Sequence, residues 1–219
     1  MQSPKPPRSP RSPQSPQPSA PPQVSARVRL VDAAHELMRT IGLARTTTKE
    51  IAKAAGCSEA ALYKHFSSKE DLFVTVLMER LPKLGPLVRR LAESPGERSV
   101  EENLTEIARQ AALFYAESFP IAASLYADPQ LKRRHDEALR ELGAGPHVPI
   151  EWVDAYLRAE RGAGRVAPDA DTYAAASLLL GACAQRAFAY DMTPSGLPPQ
   201  ELGEFARGVA RALLRGLGG

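Results

Sequence analysis

The chain has little of what most catalytic or exported proteins display: two cysteines, one tryptophan, four histidines and a net charge of only +3 in 219 residues. Cys57 and Cys183 stand far apart with no CxxC spacing, which excludes a disulfide framework and a cysteine-rich zinc site and fits a reducing, cytoplasmic compartment. No run of about 18 apolar residues is present to span a bilayer, and the first residues lack the apolar stretch of a secretory signal, so no membrane partner is expected. His35, His65, His135 and His147 show no HExxH or other ligand spacing, GxSxG is missing, and no glycine-rich loop follows a strand. No enzyme is expected, and with it no catalytic residue, metal or cofactor. Sustained period-two alternation is missing as well, which leaves an all-α chain.

So small a net charge does not point to nucleic acid by itself. Its distribution is more informative. Residues 1–24 carry three basic groups, Lys5, Arg8 and Arg11, and no acid; residues 25–80 carry nine basic against seven acidic; the rest carries sixteen against eighteen. The first 24 residues also hold nine of the twenty prolines and almost nothing to bury, the composition of a disordered or polyproline-like tail. Its cations either touch DNA phosphates nonspecifically or keep a leader solvated.

From Ser25 the pattern becomes helical, with Leu30, Ala34, Leu37 and Ile41 on one face and Gly42 as the stop. Thr47 and Glu50 then have the spacing of a capping box, so a second helix starts there and ends at Gly56. Ser58 caps a third, whose Leu62 and Phe66 point inward, and Ser68 caps a fourth with Glu70 and Asp71 in its first turn. Phe73, Leu77, Leu81 and Leu84 form the fourth helix's expected buried side, and Pro82 and Pro86 kink or end it. Further helices are expected at about 98–118, 120–127, 129–142, 149–161, 171–190 and 200–216, punctuated by Gly and Pro.

Residues 47–66 have the parts of a helix-turn-helix: Ala52 and Ala55 on the first helix, Gly56 in the turn, Ala60 and Ala61 on the second, and Glu59, Ala60, Tyr63 and Lys64 outward. The stretch TTTKEIAKAAGCSEAALYKHFSSKEDLF, residues 46–73, resembles the DNA-binding signature of TetR-family repressors over about thirty contiguous residues. That resemblance implies three domains: the tail 1–24, a three-helix DNA-binding domain at 25–81, and a larger helical effector-binding and dimerisation domain at 82–219. It implies that Thr47, Tyr63, His65 and Lys69 grip phosphates, while Lys49, Glu59, Ala60 and Ala61 approach base edges. Lys64 lies on the same face, as a DNA contact or a solvated charge, and Tyr63 and His65 can also close the small core. Cys57 reads as a small buried hydrophobe plugging the turn. Ala60 stands where many members have glycine, and Glu59 where many have a basic or polar residue, so the operator is this chain's own.

The same resemblance implies a homodimer through the last two helices, with Ala174, Leu178, Gly181, Ala182 and Gln185 on one and Leu202, Phe205, Val209, Ala212, Leu213 and Leu217 on the other. It further implies an unidentified small-molecule effector, for which Phe114, Tyr115, Phe119, Tyr126, Trp152 and Tyr156 are candidate lining residues. Cys183, on an interface helix, is a candidate to meet its symmetry mate. The expected function is a DNA-binding transcriptional regulator, a repressor released from its double-stranded operator by that effector. The alternative of another class is a helical protein-binding adaptor with no affinity for DNA.

Overall fold

The computed structural model describes residues 24–81, 84–141, 143–191 and 198–217. The tail up to residue 23, Pro82, Pro194 and the side chain of Leu217 lie outside what is described. Ten helices make up the described chain: α1 Ala26–Ile41, α2 Thr48–Ala54, α3 Glu59–Tyr63, α4 Lys69–Arg80, α5 Leu84–Glu93, α6 Val100–Ala127, α7 Pro129–Glu141, α8 Val148–Gly162, α9 Thr172–Asp191 and α10 Leu202–Leu217. None is long and apolar enough to cross a membrane.

The caps explain the boundaries of the first four. The side chains of Ser25, Ser58 and Ser68 accept from Val28, Ala61 and Asp71 amides, and Thr47 and Glu50 form a complete capping box. Gly42 and Gly56 follow α1 and α2 at φ +79° and +64°, backbone angles that a Cβ disfavours. The buried face of α1 is Leu30, Val31, Ala34 and Met38, whereas Ile41 is exposed. The expected stripe is therefore rotated at its C-terminal end. In α4 the buried set is Leu72, Phe73, Val74 and Val76, with Leu77 only partly covered.

Two expectations about prolines are corrected. Leu84 opens a separate helix, α5, in which Pro86 occupies the first turn, where its missing N–H leaves no bond unmade. The expected helices 98–118 and 120–127 are one, α6, with Pro120 inside it and a second capping box, Ser99 with Glu102, at its start.

That unbroken helix joins two cores. Leu104, Ile107, Ala108 and Ala111 of α6 pack with α5, α8, α9 and α10. Ile121 and Leu125, further along, pack with Leu131 of α7 into the cluster of Leu30, Met38, Ile51, Leu62, Phe66 and Phe73. The helix-turn-helix core is thus closed by residues from the second half of the chain. Burying those three large side chains contributes about 1.5–3 kcal/mol each. Such short helices as α2 and α3 depend on that packing.

Candidate nucleic-acid interface

α2 and α3 meet at the turn Ala55–Ser58, and three groups fix their angle. Arg29 of α1 donates from Nε to the Ala55 carbonyl (3.0 Å) and approaches Cys57 Sγ with Nη2 (3.4 Å). Leu62 and Phe66, 0% and 3% exposed, anchor α3 to the core as expected. The Thr48 hydroxyl donates to Glu59 Oε1 at 2.5 Å, tying the start of α2 to the start of α3. Cys57 is only half-buried, with its sulfur against the Arg29 guanidinium rather than sealed in the core.

With the inner faces so occupied, Thr47, Lys49, Glu59, Ala60, Tyr63, Lys64 and His65 are all exposed, and Ala61 is half-covered. Tyr63 is 53% exposed, so its ring is not closing the core. Thr47 accepts from the Glu50 amide (3.2 Å), and its own amide and hydroxyl donate to Glu50 Oε2 (2.9 and 2.8 Å). These bonds hold the Glu50 carboxyl below its usual pKa range. Lys69 is half-buried and donates from Nζ to the Leu43 carbonyl at 2.9 Å; burial pushes its pKa down. Thr46, Thr47, Thr48, Tyr63, Ser67, Ser68, Lys69, Glu70 and Arg134 line one shallow polar notch of about 490 Å³ on this face.

Neither Thr48, which orients Glu59, nor Arg134, which arrives from α7 and pairs with Glu70 at 3.2 Å, is among the site residues expected from the sequence. Thr48 carries a local signal, its place as the first residue of α2. Arg134 carries none, because only the packing of α7 on α4 brings it there.

α4 is held from both sides. Arg27 pairs with Glu79 (2.6 Å) and Arg80 with Asp32 (2.6 Å) to tie it to α1, while the His135 ring of α7 packs tilted against Phe73, centroids 4.9 Å apart.

The six aromatic candidates are not gathered in one place. Phe114, Tyr115 and Phe119 form a ladder along α6 at 5.3 and 5.5 Å, Phe114 against the N-terminal core and Tyr115 against the C-terminal one. Burial pushes the Tyr115 phenol up to about 12. Trp152 packs on Gly85 under Arg89, Tyr156 is fully buried, and Tyr126 is 74% exposed with Lys132 over its ring.

On the last two helices, Ala174, Leu178, Gly181, Gln185 and Phe188 of α9 are exposed at spacings of three and four, and Gly208, Ala212 and Gly216 of α10 likewise at four. Between them runs an apolar groove of about 590 Å³. Cys183 does not share that face. It is fully buried, its Sγ donates to the Ala108 carbonyl at 3.3 Å, and burial pushes the thiol up to about 12, so it cannot meet a symmetry mate.

Residues 30–76 match the family model described as bacterial regulatory proteins, tetR family. The fatty acid metabolism regulator protein of Bacillus subtilis (strain 168) is 29% identical over 72 residues, 33% of this chain and 36% of that protein. The HTH-type transcriptional regulator TtgR of Pseudomonas putida is 35% identical over 71 residues, 32% of this chain and 33% of that one. The matched stretch thus spans about a third of the length of these curated relatives. Over 87% of this chain and 98% of the other, the fold superposes at a TM-score of 0.63 and 19% identity on the transcriptional regulator FadR from Bacillus subtilis, solved in complex with stearoyl-CoA. SmeT, the repressor of the Stenotrophomonas maltophilia multidrug efflux pump SmeDEF, gives 0.61 at 21% identity over 89% and 91% of the two chains. At such identities these two likenesses are of fold. Residues 30–76 thus carry a domain that matches the tetR family of bacterial regulatory proteins, set within a fold shared with these solved regulators.

Proposed function

We propose that this chain is a sequence-specific DNA-binding transcriptional regulator, a cytoplasmic homodimeric repressor that leaves its operator when a small molecule binds the C-terminal helices. The observation that carries the proposal is the outward set on α2 and α3, rigidly mounted within the matched domain. Thr47, Tyr63, His65 and Lys69 are assigned to phosphates, and Lys49, Glu59, Ala60 and Ala61 to base edges, with Lys64 beside them. The Thr48 bond leaves one Glu59 oxygen to accept from a cytosine amino group. Lys69 keeps two further N–H donors beyond the one given to Leu43.

The division at residues 24 and 81 belongs to the same proposal, with the end of α6 and the start of α7 completing the DNA-binding core. For the dimer, the supporting feature is the exposed line on α9 at spacings of three and four, beside the small residues of α10. Two such helix pairs facing each other across a two-fold axis make a four-helix bundle.

The relative solved with stearoyl-CoA makes an effector the natural complement. Of the six candidate lining residues, the Phe114–Tyr115–Phe119 ladder lies where both cores meet on α6, so a molecule wedged there displaces one core against the other. α4, tied to α1 and α7, carries that displacement to the recognition helices. These must enter successive major grooves about 34 Å apart, so a small change of separation spoils both contacts. Reversing a 99:1 population takes about 5.5 kcal/mol of differential affinity. Genomic footprinting tests the proposal: it expects two-fold related half-sites about one helical turn apart. Absence of any protected site overturns it.

A further inference from the structure

Most of the polar notch belongs to the matched domain, residues 30–76, but one wall does not. Arg134 comes from the second turn of α7, and its side chain is 64% exposed. The notch has two cationic lining residues with very different circumstances. Lys69 is half-buried, already donates to the Leu43 carbonyl and is disfavoured as a cation by its burial. Arg134 makes one 3.2 Å contact to Glu70 Oε1, leaving most of its five N–H donors to solvent. Of the hydroxyls in the lining, those of Thr46, Thr47, Thr48 and Ser67 already donate to the Gly42 carbonyl and to the carboxylates of Glu50, Glu59 and Asp71, which leaves the exposed Tyr63 hydroxyl to join Arg134 in meeting the oxygens of an anion.

We propose that Arg134, lying outside the matched domain, grips a DNA backbone phosphate at this notch and so makes α7 part of the DNA-binding surface. Resting on the DNA-binding reading above, the assignment adds a residue that the helix-turn-helix alone does not supply. The notch is continuous with the surface that presents Thr47 and Tyr63, and guanidinium and phosphodiester are complementary in charge and in forked hydrogen-bond geometry. Glu70 is the competitor. In free protein it holds the guanidinium in place, and on binding it gives way to the phosphate. Because His135, the next residue, packs its ring against Phe73 of α4, any shift of α7 against α4 moves Arg134 out of register with the duplex. The grip is thereby sensitive to the state of the C-terminal helices.

The test is titration of the full-length protein with a labelled random-sequence duplex at several salt concentrations, comparing wild type, Arg134→Ala, Arg134→Lys and Glu70→Gln. One released counterion corresponds to a slope of about 0.9 in log affinity against log salt, which is roughly eightfold in affinity at 0.1 M salt per protomer engaged. R134A is expected to lose that affinity and flatten the slope by about one unit per protomer, with R134K retaining the slope. E70Q, which removes the competing carboxylate, is expected to bind more tightly. If Arg134 merely positions α4 through Glu70, E70Q weakens binding as R134A does, and the proposal falls. An R134A slope equal to wild type, with wild-type binding intact, overturns this inference alone. Salt-independent or undetectable binding by wild type overturns it together with the DNA-binding reading.

Discussion

Truncating Leu178 to Ala separates the dimer from the fold. Leu178 is 68% exposed in the protomer and lies in the middle of the α9 line. Full burial of a leucine side chain is worth about 1.5–3 kcal/mol, so covering the exposed part across an interface is worth about 1–2 kcal/mol, and the retained Cβ keeps a little of it. In an isologous contact the loss occurs twice, about 2–3 kcal/mol per dimer. At 1.4 kcal/mol per decade, the dimer Kd rises roughly 30- to 150-fold. Sedimentation equilibrium over a concentration series reads this directly, and thermal unfolding of the dilute monomer should be unchanged. Leu179→Ala is the contrast: this neighbouring residue is fully buried against α6, and its truncation should cost about 2–5 kcal/mol of folding stability. A dimer Kd unmoved by Leu178→Ala would refute the interface, as would a wild type that stays monomeric at all concentrations.

Thr47→Ala removes the hydroxyl half of the first capping box and leaves the backbone amide's donation to Glu50; about 1 kcal/mol of stability should be lost in chemical denaturation, with binding weakened on every duplex alike. A loss confined to one sequence would contradict the phosphate assignment. Gly85→Ala places a Cβ 2.5 Å from the Trp152 ring, so the α5–α8 contact must open, destabilising by about 1–3 kcal/mol. The fluorescence of Trp152, the chain's single tryptophan, reports the opening as a shift in its emission, and an unmoved spectrum would count against the packing described. Burial pushes the pKa of His135 down, so the native state takes up a proton less readily than the unfolded chain. Its contribution to stability is whole above pH about 6.5 and is lost as pH falls below that through the depressed native value. Urea denaturation at pH 7.5 and pH 5 should show a smaller acid loss in His135→Leu than in wild type; equal losses would be inconsistent with the buried, neutral ring.

The DNA-binding half is largely legible in the sequence because its determinants are local. Hydroxyl caps at Thr47, Ser58 and Ser68 and glycines at 42 and 56 fix helix ends within a few residues, and each has its expected role. What is not legible is set by long-range packing. Pro86 and Pro120 read as breaks, yet one sits in a first turn, and the other lies in a helix whose two ends are clamped in different cores. Cys183 falls on an interface helix, but a turn of that helix toward α6 buries it. Lys69 reads as a phosphate contact and is half-buried with one of its donors given to the Leu43 carbonyl, whereas Arg134, some sixty residues away in sequence, stands in the same notch. Of the aromatic residues, spacing alone does not separate the α6 ladder from the exposed Tyr126 or the fully buried Tyr156.

The central claim, sequence-specific DNA binding by the α2–α3 face, is tested most directly by titrating one duplex selected from a random pool, and one random duplex, with wild type and with Glu59→Gln and Lys49→Ala. Wild type should bind the selected duplex at least about a thousandfold more tightly than the random one, with affinity for both falling steeply as salt rises. Each substitution should narrow that preference by about 1–3 kcal/mol per lost base contact, while leaving random-duplex affinity nearly intact for Glu59→Gln. Equal affinity for both duplexes, or identical preferences in wild type and variants, would contradict the assignment of this face to base reading.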